Sequence, residues 1–290
     1  MVKIYFRHEK PRPFQRQFMA DIYSAIARRR NFMANAPTGS GKTDSALSAA
    51  VSFALENKKD VFFLTPKISQ HKIAIETVCG LGEKHSLPVR AVDLIGRRLA
   101  CIHPEISKLE GEGFYHFCAL KRKKAGCAFH NNISGKGLGG KEGAENGFNA
   151  LLRSYGHGKT HAEIIETGRK NEFCPYELMM KTGSVSNVIV GDYFHFIVPA
   201  IRESVLNKTG KRIENCIVIL DEAHNLAARV RDYLSSSTGT FTLRRVEKEL
   251  RIAGYKPPPL AERFEEWAGN IMGGKGECTT GKEEFYDFLS

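Results

Sequence analysis

At 290 residues the chain can form one large or two modest domains, and its 42% hydrophobic content is ordinary for a globular protein. No apolar stretch approaches the roughly 20 residues needed to span a bilayer, and the opening MVKIYFRHEKPRP lacks the apolar centre of an export signal. No basic amphipathic helix with a broad apolar face stands out either, so no membrane partner is expected, and the expected location is the cytoplasm, or the nucleus if the source is eukaryotic. The net charge of +11, with a pI near 9.3, favours a polyanionic partner such as nucleic acid.

Phe14, Phe18, Ile22 and Ile26, spaced by four, predict an amphipathic helix followed by the basic run Arg28-Arg29-Arg30. The short apolar stretch Phe32-Met33-Ala34 predicts a strand. Next comes Ala36-Pro37-Thr38-Gly39-Ser40-Gly41-Lys42-Thr43, a loop whose glycines let backbone N–H groups approach phosphates. Lys42 then reaches the β and γ phosphates, and Thr43 is placed to ligate Mg²⁺. Leu47, Ala50, Val51, Ala54 and Leu55 give the helix that should follow. Val61 to Thr65 predicts a buried parallel strand, Ser69 to Val78 a helix and Pro88 to Leu94 another strand. This alternation predicts an α/β fold with a parallel sheet flanked by helices.

The alternation breaks at about Gly96 and resumes at Val188-Ile189-Val190. Between them the chain is rich in Gly, Lys, His and Cys, and residues 134–147 read as a mobile loop. Thr160 and Glu163 form a capping-box pattern that opens a helix through Ile164 and Ile165. Cys216-Ile217-Val218-Ile219-Leu220 reads as a buried strand that delivers Asp221 and Glu222. One carboxylate there can hold a metal and the next can orient or deprotonate an attacking water. Together with the phosphate loop, this pair points to nucleoside triphosphate hydrolysis. Residues 241–252 predict a charged helix, stopped at Pro257-Pro258-Pro259 and followed by a polar tail.

Seven cysteines occur in a chain without an export signal, so disulfides are not expected. Cys79, Cys216 and Cys278 read as small or incidental thiols. Cys101, Cys118, Cys127 and Cys174 all fall in the interrupting segment. No short C-x₂₋₄-C knuckle is among them, and spacing alone leaves zinc, an iron–sulfur cluster or no metal open.

The strings GRRLACIHPEI (Gly96 to Ile106), CPYELMMK (Cys174 to Lys181) and LDEAHN (Leu220 to Asn225) resemble signatures of the XPD family of iron–sulfur superfamily 2 DNA helicases. VIVGDYFHFIVP, Val188 to Pro199, is similar to that family's segment after the cluster domain. The order is also kept: phosphate loop, four-cysteine insertion, then DEAH. The resemblance implies a RecA-like motor domain in residues 1–95 and 182–235. It also implies a [4Fe–4S] insertion in 96–181 and the start of a helical arch in 236–290. It implies ATP-driven 5′ to 3′ movement on single-stranded DNA, opening forked duplexes, with repair-complex proteins as possible partners. Gln15 would read adenine, Asp221 would hold Mg²⁺, Glu222 would activate water and His224 would couple nucleotide state to movement. Cys101, Cys118, Cys127 and Cys174 become cluster ligands. The run Lys121-Arg122-Lys123-Lys124 offers backbone contacts, and Tyr193, Phe194 and Phe196 are read either as base-stacking groups or as core.

Residues 65–70 only loosely match the family's DNA-contacting motif. No Q-x-x-G-R-x-x-R-like string or Ser-Ala-Thr motif follows DEAH, so a second motor domain is expected on further polypeptide. Two rival readings are a non-catalytic nucleic-acid-binding fragment and an unrelated P-loop NTPase with a zinc-binding insertion.

Overall fold

The computed structural model describes residues 3–37, 39–124, 126–235, 239–252, 254–273, 279–281 and 283. Five strands, β1 (Asp60–Leu64), β2 (Ala91–Asp93), β3 (Gly158–Lys159), β4 (Val188–Gly191) and β5 (Cys216–Leu220), form one parallel sheet in the order β3-β2-β4-β1-β5. The helices before the break are α1 (Pro13–Ala27), α2 (Lys42–Asn57), α3 (Ile68–His85) and α4 (Arg97–Ala100). The insertion adds α5 (Gly111–Lys123), α6 (Ala128–Ile133), α7 (Gly140–Arg153), α8 (His161–Lys170) and α9 (Pro175–Gly183). The chain continues through α10 (Phe194–Ile197), α11 (Pro199–Thr209), α12 (Leu226–Leu234), α13 (Thr240–Ile252) and α14 (Leu260–Met272). Among the described residues no helix is long and apolar enough to cross a membrane.

Strand side chains alternate between two faces, and each face has its own core. Val61, Phe63, Ala91, Val188 and Val190 pack with Leu47, Val51, Ala54, Val78 and Leu81 of α2 and α3. Phe62, Leu64, Val92, Leu94 and Ile189 pack on the opposite face with Phe148, Leu151, Tyr155, Ile164, Phe173 and Met179. The second core is built largely from the interrupting segment, so much of that segment is anchored to the sheet rather than hung from it.

Several expectations differ from the structure. Residues 134–147 are not a loop throughout, because α7 begins at Gly140 and buries Ala144, Phe148 and Leu151. One of its glycines has a packing reason: a Cβ at Gly147 would fall 2.5 Å from the Phe173 ring. Residues 32–34 form no strand, and Met33 is 96% exposed. Among the described residues β5 pairs with β1 alone, so no strand covers its other side. For the same reason Cys216–Leu220 is not a buried strand, since Val218 and Leu220 are each more than a third exposed despite central-strand composition. On α1 the buried stripe is Gln15, Met19 and Ile22, with Phe14 exposed and stacked on Phe18 at 5.4 Å. The expected capping box does form, with Thr160 N–H donating to Glu163 Oε2 (2.9 Å) and Glu163 N–H donating to Thr160 Oγ1 (3.4 Å).

The chain divides into two compact units, Met1–Leu226 and Ala227–Ser290. The second holds a pairing of α13 with α14, joined by Arg244 with Glu265 at 2.8 Å and by the Ala261 N–H donated to Glu247. The region read as a polar tail therefore contains a helix, α14, with Phe264 and Trp267 in ring contact at 5.7 Å.

Phe148 anchors α7, and the Lys181 ammonium stands 4.6 Å over its ring. Phe148→Ala is expected to lower stability by about 3–5 kcal/mol, read from urea unfolding. A change under roughly 1 kcal/mol would mean α7 is not part of the core.

Candidate active site

The phosphate loop is set by two left-handed glycines, Gly39 (φ 78°) and Gly41 (φ 81°). Gly41 is restricted twice over, because a Cβ there would fall 2.1 Å from Gln15 Nε2. Gln15 is buried, and its Oε1 accepts from the Arg12 N–H at 3.0 Å. That leaves the amide's Nε2 against the start of α2. Pro37 precedes the loop, Thr38 lies outside the described residues, and Ser40 Oγ is buried without a partner. Thr43 sits half-buried in the first turn of α2.

Lys42 Nζ donates to the Ala36 carbonyl at 3.0 Å and stands 3.8 Å from Glu222 Oε1. The loop and the carboxylate strand, far apart in sequence, therefore meet at one point. Asp221 N–H donates to the Leu64 carbonyl at 2.9 Å, which extends the β1–β5 ladder and fixes the carboxylates beyond the strand end. Glu222 follows with φ 52°, a left-handed value uncommon outside glycine. Its Oε2 is 3.5 Å from His224 Nδ1, while the Asn225 amide lies 3.0 Å from His224 Nε2 and donates to the Glu222 carbonyl. Burial, then the neighbouring Glu222, raises the Asp221 carboxyl above its ordinary range. A cation placed there would favour its ionised form.

Sequence reasoning missed the clamp that holds this site. Asp44, next after Thr43, accepts from Thr77 Oγ1 (2.8 Å) and pairs with Arg7 Nε (2.7 Å) and His8 Nε2 (3.1 Å). A lone Asp after a phosphate loop carries no signal, because its partners come from separate segments.

Cys101, Cys118, Cys127 and Cys174 line one cavity together with Arg97, Lys121, Arg122 and His130. Cys127 and Cys174 stand at the starts of α6 and α9, which are tied by the Cys174 N–H donated to the Phe129 carbonyl at 2.9 Å. Among the described residues no three of the four sulfurs lie within 4.8 Å of one another. Burial pushes the Cys174 thiol up to about 11 and raises Cys101 as well. Among the described residues Arg97 Nη1, Arg122 Nε and His130 Nδ1 are buried without partners, and all three residues line this cavity. Arg97 is held by Glu177 (2.9 Å) and lies 3.9 Å over the Tyr176 ring, with Lys208 completing the pair to Glu177 at 2.7 Å.

The proposed DNA contacts divide. Lys123 and Lys124 are exposed, whereas Lys121 and Arg122 are half-buried at the cysteine cavity. Tyr193 is fully buried, and its hydroxyl donates to the Asp221 carbonyl. It is therefore a support for the carboxylate turn, not a platform for bases. Phe194 is half-buried, and Phe196 packs on Phe62 at 5.1 Å.

Comparison with known proteins places this geometry. A family model described as DEAD_2 matches residues 68–243, and one described as type III restriction enzyme, res subunit, matches residues 8–92. The general transcription and DNA repair factor IIH helicase subunit XPD/RAD3 of Saccharomyces cerevisiae is 26% identical over 271 residues, covering 84% of this chain and 32% of the relative. A regulator of telomere elongation helicase 1 homolog from Anopheles gambiae is 25% identical over 259 residues, covering 75% of this chain and 25% of the relative. The chain thus spans about a quarter to a third of these relatives' length. A solved XPD helicase aligns over 97% of this chain and 45% of its own, with TM-score 0.59 and 17% identity. A truncated XPD aligns over 93% and 71%, with TM-score 0.51 and 18% identity. These two likenesses establish the RecA-like α/β fold, and the family match covers more than half of the sequence: the chain belongs to the DEAD_2 family.

Proposed function

We propose that this chain is the first motor portion of an XPD-type, ATP-dependent DNA helicase. The observation that carries the reading is the meeting of Lys42 with Glu222 at the Ala36 carbonyl, which joins a phosphate loop to a paired carboxylate. Residues 1–95 and 182–235 would form the RecA-like motor, 96–181 the cluster insertion and 236–290 the start of an arch.

Bound ATP would place its phosphates on Ser40, Gly41 and Lys42, drawing the ammonium from the Ala36 carbonyl and from Glu222. Glu222, relieved of that cation, would then be free to orient and deprotonate the attacking water. Thr43 and Asp221 would hold Mg²⁺, and Gln15 would face the adenine with its uncommitted Nε2. His224, beside Glu222, would carry the change in that carboxylate toward α12. On the DNA side Lys123, Lys124 and Phe194 remain candidates, with the first two suited to phosphate contact.

Cys101, Cys118, Cys127 and Cys174 would hold the cluster, which when bound supplies an anionic, covalently anchored centre. Two features support that fit. A single zinc ion would need sulfurs about 3.8 Å apart at a Zn–S distance of about 2.3 Å, closer than these stand. The unpartnered guanidinium N–H groups of Arg97 and Arg122 suit the anionic sulfurs of a larger cluster.

Phosphate release from ATP by this chain is expected to stay at background with or without single-stranded DNA. A second motor surface that supplies an arginine would raise it by about 10³–10⁵-fold. DNA-stimulated release from this chain alone, lost in Lys42→Ala, would overturn the need for that second surface.

A further inference from the structure

A second cluster of ligating groups lies outside both sites. His71 of α3, Asp93 at the end of β2 and His161 at the start of α8 bring two imidazole Nδ1 atoms and one carboxylate within 4.8 Å of one another. His71 Nδ1 is 2.6 Å from Asp93 Oδ1, and His161 Nδ1 is 2.7 Å from Asp93 Oδ2. The His161 backbone N–H donates to the same Oδ2 at 2.9 Å. We propose that His71, Asp93 and His161 form a binding site for a divalent transition ion of the zinc class, separate from the cysteine cavity and from the nucleotide.

The charge balance is the first argument. Asp93 is fully buried, and among the described residues its ion pairs are with the two imidazoles alone. Asp93 accepts from both rings and from the His161 backbone N–H, but among the described residues no Lys or Arg pairs with it, so no permanent positive charge faces it. A divalent ion supplies that charge without requiring either ring to be protonated.

The donor set is the second argument. Two imidazole nitrogens and one carboxylate oxygen select zinc, cobalt, nickel or ferrous iron over magnesium or calcium. Metal bonds of about 2.0–2.2 Å in a tetrahedral shell put ligand atoms roughly 3.4 Å apart, so the rings must withdraw from Asp93 by about 0.7 Å. Each ring's Nδ1 proton passes to its own Nε2 or to solvent. His71 is 1% exposed and its Nε2 has no partner, so convergence on Asp93 is what orients that ring. His161 keeps 27% of its side chain exposed, which gives the ion an entry path and a water for its fourth position. Bound there, the ion would join α3 and β2 of the motor to α8 of the insertion.

The full chain, stripped with chelator, is titrated with Co²⁺ and Zn²⁺ alongside His161→Gln and Cys174→Ser. Glutamine at 161 keeps an N–H donor for Asp93 and removes the metal-binding nitrogen, so it separates a ligand from a hydrogen-bond strut. The expected wild-type signature is a visible cobalt band without intense thiolate charge transfer. It should persist in Cys174→Ser, and His161→Gln should weaken it at least tenfold in affinity. Zn²⁺ should raise the melting temperature of wild type and Cys174→Ser, but not of His161→Gln. Equal cobalt binding by wild type and His161→Gln, or no such band at excess metal, overturns the site. The Cys174→Ser arm keeps this result independent of whether the cysteines hold iron.

Discussion

Cys174→Ser is expected to strip iron from the chain and to open residues 101–133 to protease, while the sheet stays folded. Cys174 starts α9, and its N–H is bonded to the Phe129 carbonyl, so the ligand and the α6–α9 junction occupy one point. Loss of an outer partner costs a metal site roughly 10–100-fold in affinity, and loss of a ligand should exceed that. Metal binding by widely spaced thiolates is also folding energy for the segments that carry them. The second half of the insertion does not depend on the metal in this way. Phe148, Leu151, Tyr155, Ile164 and Phe173 share a core with Phe62, Leu64 and Val92 of the sheet. Cleavage should therefore map to α5 and α6 and spare α7 and α8, as read by mass spectrometry of early fragments. Cleavage spread evenly over residues 96–181 would contradict that division, and unchanged cleavage would remove the structural role of the cluster.

Lys42→Ala is expected to weaken Mg·ATP binding by about a hundredfold or more, on the basis of two lost charge-assisted bonds at roughly 1.5–3 kcal/mol each. The fold should be nearly indifferent to this change. The Lys42 side chain is 30% exposed, and its own contacts are one hydrogen bond to the Ala36 carbonyl and a 3.8 Å approach to Glu222. Removing them costs about 1 kcal/mol by ordinary hydrogen-bond values. A melting temperature lowered by no more than about 2–4 °C, with nucleotide affinity lost, is thus the expected pair of results. Glu222→Gln provides the contrast, since it should retain nucleotide affinity that Lys42→Ala loses.

The parts of the fold legible in the sequence were those where local pattern and tertiary role coincide. The apolar runs at Val61 and Val188 are central strands buried on both faces, and the Thr160–Glu163 box opens α8 as its spacing requires. Where the two diverged, the sequence misled. Cys216–Leu220 carries central-strand composition yet lies at an open edge, because a strand's neighbours are not encoded within it. Gly147, just before Phe148, read as flexibility but serves the close approach of Phe173. At the site, the phosphate loop and the carboxylates could be named from sequence because their chemistry demands contiguous residues. Tyr193 could not be separated from a base-stacking aromatic until its burial and its bond to the Asp221 carbonyl were apparent. The Asp44 clamp and the His71–Asp93–His161 cluster were invisible for a related reason. Each is assembled by the sheet from segments that share no local pattern.

The decisive measurement is equilibrium binding of a fluorescent ATP analogue to the 290-residue chain in Mg²⁺, set against Lys42→Ala. The structure's joining of Lys42, Glu222 and the glycine loop predicts saturable binding by wild type, weakened about a hundredfold in the variant while the fold is kept. Equal binding by the two proteins, or none by either, would contradict the assignment of a nucleotide site here and with it the motor reading of the fold.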